Sequence, residues 1–149
     1  MTRAPFAIVP ILLALALVRL GTAEAQQAPD DGKDRRPKLA LRATPAISFS
    51  PARVNFTAEL RGGSDGYEEY YCPSIEWEWG DGMQSESTQD CEPYEPGKSA
   101  IKRFYTASHV FDLSGRYTVV FKLKRDKKVL TTVNTVVQVR PGVRDMYPD

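Results

Sequence analysis

The chain has few of the residues on which catalytic and metal sites usually depend. Its 149 residues include two cysteines and one histidine, His109. A structural zinc site normally takes four cysteine or histidine ligands, and a serine or cysteine nucleophile needs a base beside it. The composition therefore predicts neither a zinc site nor a histidine-dependent catalytic pair. No cofactor is expected.

The chain also lacks net charge. Its formal charge is +1, and without residues 1–25 its basic and acidic residues balance. Binding to a polyanion through bulk electrostatics requires a basic surplus, so no nucleic-acid partner is expected. The length suits one domain of ordinary size.

Long apolar runs are missing after the N-terminus. Arg3 precedes an apolar run from Phe6 to Leu17, and Ala23-Glu24-Ala25 has the pattern of a signal-peptidase site. The run is short for a membrane-spanning helix, although an uncleaved anchor stays open. We expect residues 1–25 to be a secretory signal peptide, leaving a periplasmic or extracellular protein with no stable membrane anchor after cleavage.

Residues 26–38 contain no apolar side chain larger than alanine or proline, which predicts a disordered linker. A folded domain is expected over residues 39–140, followed by a short tail at 141–149. Apolar residues alternate with polar ones in this domain, without helical periodicity. The predicted strand segments are 39–43 continuing into 46–49 across Pro45, 54–60, 75–79, a polar edge segment within 83–90, 101–104 running towards His109, 117–124 and 129–139.

The most informative stretch is Ile75-Glu76-Trp77-Glu78-Trp79-Gly80-Asp81-Gly82. Its alternation places Ile75, Trp77 and Trp79 on one face of a strand, which we expect to be the core face. Glu76 and Glu78 then point to the opposite face. The Gly-Asp-Gly sequence predicts a tight turn.

This turn predicts how the two cysteines pair. If Asp81 and Gly82 are the central residues of a hairpin, Trp79 lies opposite Gln84, Trp77 opposite Glu86, and Cys72 opposite Cys91. Opposed residues at the closer, non-hydrogen-bonded positions of an antiparallel pair lie within disulfide range. The sequence therefore predicts a Cys72–Cys91 disulfide, as an oxidising compartment allows.

A second motif lies downstream, between His109 and Val119. Together the two motifs resemble the PKD domain, an immunoglobulin-like β-sandwich whose strand end reads W-x-F-G-D-G and whose later motif reads H-x-aromatic, then Gly-x-Tyr-Thr-Val. The matching positions are Trp77, Gly80, Asp81, Gly82, His109, Phe111, Gly115, Tyr117, Thr118 and Val119, with Trp79 replacing the usual phenylalanine.

The resemblance implies an all-β, PKD-type sandwich of about seven strands. It also implies that the motif residues serve the fold: Trp77 as a core aromatic, His109 in a hydrogen bond within the domain, and Gly115 at the start of the Tyr117 strand. The segment from Gly63 to Cys72 and the interval from Gly82 to His109 are longer than in compact members, and the cysteines flank these expansions.

PKD-like domains act in extracellular proteins as spacers or as binders of proteins and polysaccharides, so the resemblance implies a non-catalytic interaction module. We expect its binding surface at a tyrosine cluster beside the disulfide, since tyrosines provide flat contact area with a polar tip. The same tyrosines alternatively pack the expanded loops. The cluster comprises Tyr67, Tyr70, Tyr71 and Tyr94.

Two other functions stay open. The expanded loops contain acidic residues that suggest a calcium-stabilised spacer, although no ordered ligand spacing is present. These residues are Asp65, Glu68, Glu69, Asp90, Glu92 and Glu95. Glu76 and Glu78 lie about 6.5–7 Å apart by the strand rise, a separation compatible with glycoside hydrolysis, but solvated carboxylates on a flat sheet are the simpler interpretation.

Overall fold

The computed structural model describes residues 36–146, so the expected signal peptide, residues 26–35 of the linker and residues 147–149 lie outside the described part. Eight strands are present within it. They are β1 (Lys38–Thr44), β2 (Ile47–Phe49), β3 (Ala52–Arg61), β4 (Ser74–Glu78), β5 (Gln84–Ser87), β6 (Phe104–Phe111), β7 (Gly115–Arg125) and β8 (Lys128–Arg140). A 3₁₀ turn spans Glu68–Tyr70, and a short helix, α1, spans Val143–Met146.

The strands form two sheets. One has the order β1-β3-β6 and is antiparallel throughout. The other has the order β2-β8-β7-β4-β5, in which β2 pairs with β8 in parallel and the remaining pairs are antiparallel. The prediction of an all-β sandwich is confirmed. The strand count exceeds the expected seven because the chain changes sheets at Pro45, so the expected first strand becomes β1 and β2.

The core lies between the sheets and follows the alternation in the sequence. Val54, Phe56, Ala58 and Leu60 of β3 are at most 2% exposed, and Val119, Phe121 and Leu123 of β7 are fully buried. Burying each large apolar side chain contributes roughly 1.5–3 kcal/mol before the entropic cost of folding. Trp77 and Trp79 are both 3% exposed, which confirms the expected core face of β4.

The predicted hairpin register is wrong by one residue. Trp77 pairs with Ser85, and Glu78 pairs with Gln84. Gly80 and Gly82 both have positive φ angles, and the Trp79 N–H donates to the Met83 carbonyl at 3.0 Å. Three residues, Gly80 to Gly82, therefore form the loop instead of two.

The predicted Cys72–Cys91 disulfide is present, with 6.2 Å between the Cα atoms. The β4–β5 ladder ends at Ile75 and Ser87, so the bridge joins the loop segments beyond it rather than two paired strand residues. Those segments are the ones expected to be expanded. No helix in residues 36–146 is long and apolar enough to cross a membrane.

Candidate functional site

The first group of candidate residues is an aromatic stack at the end of β4. Trp77 stacks on Trp79 with 5.2 Å between ring centroids, and the His109 ring stacks on Trp79 at 4.5 Å. His109 Nε2 lies 2.6 Å from Asp81 Oδ2, and both side chains are mostly buried. The only histidine of the chain is thus held against a tryptophan and a carboxylate.

The electrostatics of Asp81 fit this arrangement. Burial alone would raise the pKa of Asp81, but the hydrogen bond with His109 and the one from the Met83 N–H together lower that pKa below its ordinary value. A charged carboxylate is therefore favoured beside His109. It fixes the orientation of the ring and closes the turn at the same time.

Two glycines of the motifs adjoin β7. Gly80 has a φ of +83°, and a Cβ atom there would lie 2.7 Å from the Thr118 carbonyl oxygen, so the turn packs closely on β7. Gly115 is the first residue of β7. The Tyr117 hydroxyl donates to the Leu113 carbonyl at 2.8 Å, which closes the turn between β6 and β7.

The four tyrosines proposed for binding do not share one surface. Tyr70 is 1% exposed, and its hydroxyl accepts a hydrogen bond from Arg36 Nε at 3.1 Å. Tyr70 therefore packs in the core and cannot present its ring to a partner. Tyr67 is partly buried against the core. Tyr71 and Tyr94 are also half-buried, and their ring centroids lie 5.4 Å apart.

These two tyrosines border a cleft of about 340 Å³ beside the disulfide. Their hydroxyls donate to backbone carbonyls, from Tyr71 to Glu92 at 3.0 Å and from Tyr94 to Asp65 at 2.9 Å. The rings are therefore fixed across two loops. Polar side chains complete the lining, among them Ser74, Thr88, Gln89, Asp90 and Lys124.

Comparison with known proteins supports the assignment of the fold. No protein-family model and no curated protein matches the sequence. Among solved structures, the PKD domain of an M14-like peptidase from Thermoplasmatales archaeon SCGC AB-540-F20 has a TM-score of 0.50 and 20% sequence identity, over 72% of this chain and 98% of that one. The chain has the fold of a PKD domain. A CARDB domain from Pyrococcus furiosus, solved with di-metal ions, has a TM-score of 0.43 and 8% identity, over 69% of this chain and 93% of that one.

The acidic residues of this PKD-like domain's loops do not converge. Asp65 lies 3.0 Å from Arg103 and also accepts the Ile101 N–H, Glu69 pairs with Arg36, and Glu95 pairs with Lys98. Within residues 36–146, no three histidine, cysteine or acidic side chains come close enough to hold a metal ion. Four of the six residues considered for calcium, Asp65, Glu68, Glu69 and Glu95, instead pair with neighbouring basic side chains.

Glu76 and Glu78 lie on the outer face of the five-stranded sheet, as the alternation predicts. Glu76 accepts hydrogen bonds from Lys122 and Lys124, each at 2.8 Å, and Glu78 pairs with Lys122. The lysine hydrogen bonds lower the pKa of Glu76 to about 2. A general acid in glycoside hydrolysis needs a raised pKa, so Glu76 is poorly suited to that role.

Sequence reasoning located the loops that form the cleft and the tyrosines Tyr71 and Tyr94 that line it, but not its neutral polar residues. Ser74 and Thr88, whose hydroxyl oxygens lie 3.1 Å apart, belong to polar segments without a motif. Nothing in their spacing distinguishes them from other surface residues. Tyr70 follows the alternative of packing rather than binding, but the sequence did not single it out, because the 3₁₀ turn that directs this side chain inward has no strand alternation.

Proposed function

We propose that this chain is a secreted, non-catalytic PKD-like module that binds a polysaccharide in the cleft beside the Cys72–Cys91 disulfide. The observation that supports this proposal is a polar cleft beside the disulfide, at which the rings of Tyr71 and Tyr94 are fixed. A rigid aromatic surface loses little conformational entropy when a ligand binds.

The size of the cleft favours a sugar chain over a protein partner. Its volume of about 340 Å³ falls at the lower end of the range typical of small-ligand sites. A stable protein interface needs roughly 800 Å² from each partner, much more surface than the rim of such a cleft provides. Hydroxyl, amide and carboxylate groups beside aromatic rings suit the alternating polar and apolar faces of sugar rings.

Secretion is supported by two features. Residues 1–25 have the charge, apolar run and cleavage pattern of a signal peptide, although they lie outside the described residues. The disulfide is of the kind that persists in oxidising compartments. We therefore place the module in the periplasm or outside the cell.

A non-catalytic role is supported by the contacts that already hold the two candidate catalytic groups, His109 and Glu76. His109 is held between Trp79 and Asp81. Glu76, with a pKa of about 2, stays ionised across the physiological range. Neither group is placed to donate or accept a proton for a substrate in the cleft.

Calorimetric titration of the oxidised protein with neutral oligosaccharides tests this function. The probes are gluco-, xylo-, manno- and chito-oligosaccharides. We expect one class to bind, and Tyr94→Ala to weaken that binding about five- to tenfold, since an aromatic contact contributes roughly 1 kcal/mol. Tyr94→Phe keeps the ring but loses the hydrogen bond to Asp65 that holds it, so it should weaken binding less than Tyr94→Ala does.

Melting curves of the same variants separate binding from loop packing. If Tyr94→Ala lowers the melting temperature but leaves oligosaccharide affinity unchanged, the tyrosines only pack the loops. If none of the neutral sugars binds and a purified envelope protein from the same source binds with Tyr94 dependence, the polysaccharide assignment is wrong.

A further inference from the structure

The outer face of the three-stranded sheet has more positive charge than its carboxylates neutralise. Glu59 is the only acidic residue among the outward positions of β1, β3 and β6, and it pairs with Arg61 at 2.6 Å. The same face includes four basic residues, Lys38, Arg42, Arg53 and Arg61. Within the described part of the chain, Lys38, Arg42 and Arg53 have no acidic partner.

The opposite side of the sandwich differs. On the outer face of the five-stranded sheet, Glu76, Glu78 and Glu86 pair with Lys122 and Lys124. Arg116 and Arg140 also lie at outward positions of that sheet, so the two faces differ in degree: the five-stranded face has three carboxylates among its basic residues, and the three-stranded face has one. The near-zero net charge of the chain therefore conceals a three-stranded face whose positive charge is mostly available to a partner.

The cations on this face are regularly spaced. The register places Lys38 beside Arg61 and Arg42 beside Thr57. Along β3, basic side chains therefore lie at Arg53, beside Thr57, where Arg42 of β1 is its neighbour, and at Arg61. Four residues of strand span about 13 Å, so the row is about 26 Å long.

A groove lies within this row. It has a volume of about 510 Å³, and its lining includes Ala40, Arg42, Thr57, Glu59 and Arg61. The short side chain of Ala40 leaves space between the larger residues along β1. Both arginines border this space, and guanidinium groups bind carboxylates with paired hydrogen bonds.

We propose that this face binds a linear acidic polysaccharide in which acidic and neutral sugars alternate, with carboxylates at Lys38, Arg42 and Arg53 and a sugar ring in the groove. Such a polymer separates its charges by two sugar units, which suits cations set several residues apart. This surface is separate from the disulfide cleft, and the proposal does not depend on the function proposed there.

Other polyanions fit the face less well. A nucleic-acid strand has a charge about every 3.4 Å, much denser than this row, and single strands are bound on aromatic platforms. Phe104 is the only aromatic residue among the outward positions of these three strands. Recognition of anionic lipids usually takes a cluster of roughly four to eight basic residues, more than the three on this face that have no acidic partner within residues 36–146.

Fluorescence anisotropy with labelled hyaluronan oligosaccharides tests the proposal, because their carboxylates alternate with neutral sugars. We expect binding at an ionic strength of roughly 0.01 M that weakens at 0.15 M.

The double variant Arg42→Gln/Arg53→Gln should weaken hyaluronan binding about tenfold. Lys127→Gln/Lys128→Gln removes the same charge from the turn between β7 and β8 and the first residue of β8, and should change binding less than about twofold. Glu59→Gln should strengthen binding, because it frees Arg61.

Several results would overturn the proposal. They are no binding by the parent at low salt, an equal loss in the two double variants, or weaker binding by Glu59→Gln. Tighter binding of single-stranded DNA or of phosphatidylglycerol vesicles than of hyaluronan would assign the face to another partner. Tyr94→Ala should leave hyaluronan binding unchanged, so failure of the cleft and failure of this face are distinguishable.

Discussion

The side chains of the two motifs satisfy one another's hydrogen-bonding groups. The Asp81 carboxylate accepts hydrogen bonds from His109 and from the Met83 N–H, and the Trp79 indole N–H donates to Ser85 Oγ at 3.0 Å. These polar groups would be costly to bury without partners. Their mutual bonding lets aromatic rings and a hydrogen-bonded carboxylate–imidazole pair share the end of the sandwich.

Tyr105 is the exception. It is 2% exposed, and its hydroxyl has no hydrogen-bond partner among the described residues. Burial raises its pKa to about 12, partly offset by Arg103. The phenol therefore stays neutral, and its hydroxyl contributes a desolvation cost without a compensating bond.

We predict that Tyr105→Phe keeps or raises the free energy of unfolding, by up to about 1 kcal/mol, because it removes only the unpaired hydroxyl. Tyr70→Phe is the matched control. It loses the hydrogen bond with Arg36 and should lower the free energy of unfolding by about 0.5–1.5 kcal/mol. Urea denaturation measures both. A loss above about 1 kcal/mol for Tyr105→Phe would mean that the hydroxyl has a partner.

Among the secondary-structure elements, β4, β5 and β7 are joined by a network of charges. Glu76 lies directly opposite Glu86 in the β4–β5 register, an arrangement that is repulsive by itself. Lys124 bridges them, at 2.8 Å from Glu76 and 3.0 Å from Glu86, and Lys122 joins Glu76 to Glu78. This network attaches the exposed edge strand β5 to β7 through side chains.

The network predicts a pH dependence. The pKa of Glu76 falls from 4.5 to about 2 on folding, so its stabilising effect is complete above pH 4.5 and is lost as the pH falls towards 2. Glu76→Gln should lower the free energy of unfolding by roughly 1–2 kcal/mol at pH 7. Its difference from the parent should shrink across that acidic window.

Urea denaturation between pH 2 and pH 7 measures this difference, because urea is uncharged and does not screen the ion pairs. Glu59→Gln is the control, because its exposed pair with Arg61 should contribute less than about 1 kcal/mol. A Glu76→Gln effect that is constant across the window would contradict the ionic origin of the stabilisation.

The sequence predicted strands better than their ends and pairings. Alternation identified the buried faces of β3, β4 and β7, because the period of two directly reflects a sheet with one face in the core. It did not reveal that both glycines flanking Asp81 adopt positive φ, which adds a residue to the loop and shifts the register. The predicted strand at Ile101 begins instead at Phe104, since Ile101 is buried in the preceding loop and donates to Asp65.

At the scale of the whole molecule, the disulfide fixes the enlarged loops to a sandwich with the PKD fold. The pairing was predictable because only two cysteines exist and both flank the expansions. The cleft was not, since it arises from loops that meet only after folding. The shape of the cleft therefore depends on the disulfide more strongly than the structure of the two sheets does.

Removing the bridge by Cys72→Ser/Cys91→Ser should lower the free energy of unfolding by about 3 kcal/mol, since the linked residues are 19 positions apart. The domain should still fold, because its core lies between the sheets. Urea denaturation of the variant beside the oxidised parent measures the loss. A variant as stable as the parent, whose bridge is verified by mass, would contradict a stabilising role.

The central claim, a polysaccharide site in the disulfide cleft, is tested most directly by nuclear magnetic resonance titration of the isotope-labelled protein with the oligosaccharide that binds in calorimetry. We predict that amide shifts concentrate at Tyr71, Thr88 and Tyr94, around the cleft. Shifts confined to the outer face around Arg42 and Thr57, or no shifts at saturating sugar, would contradict it.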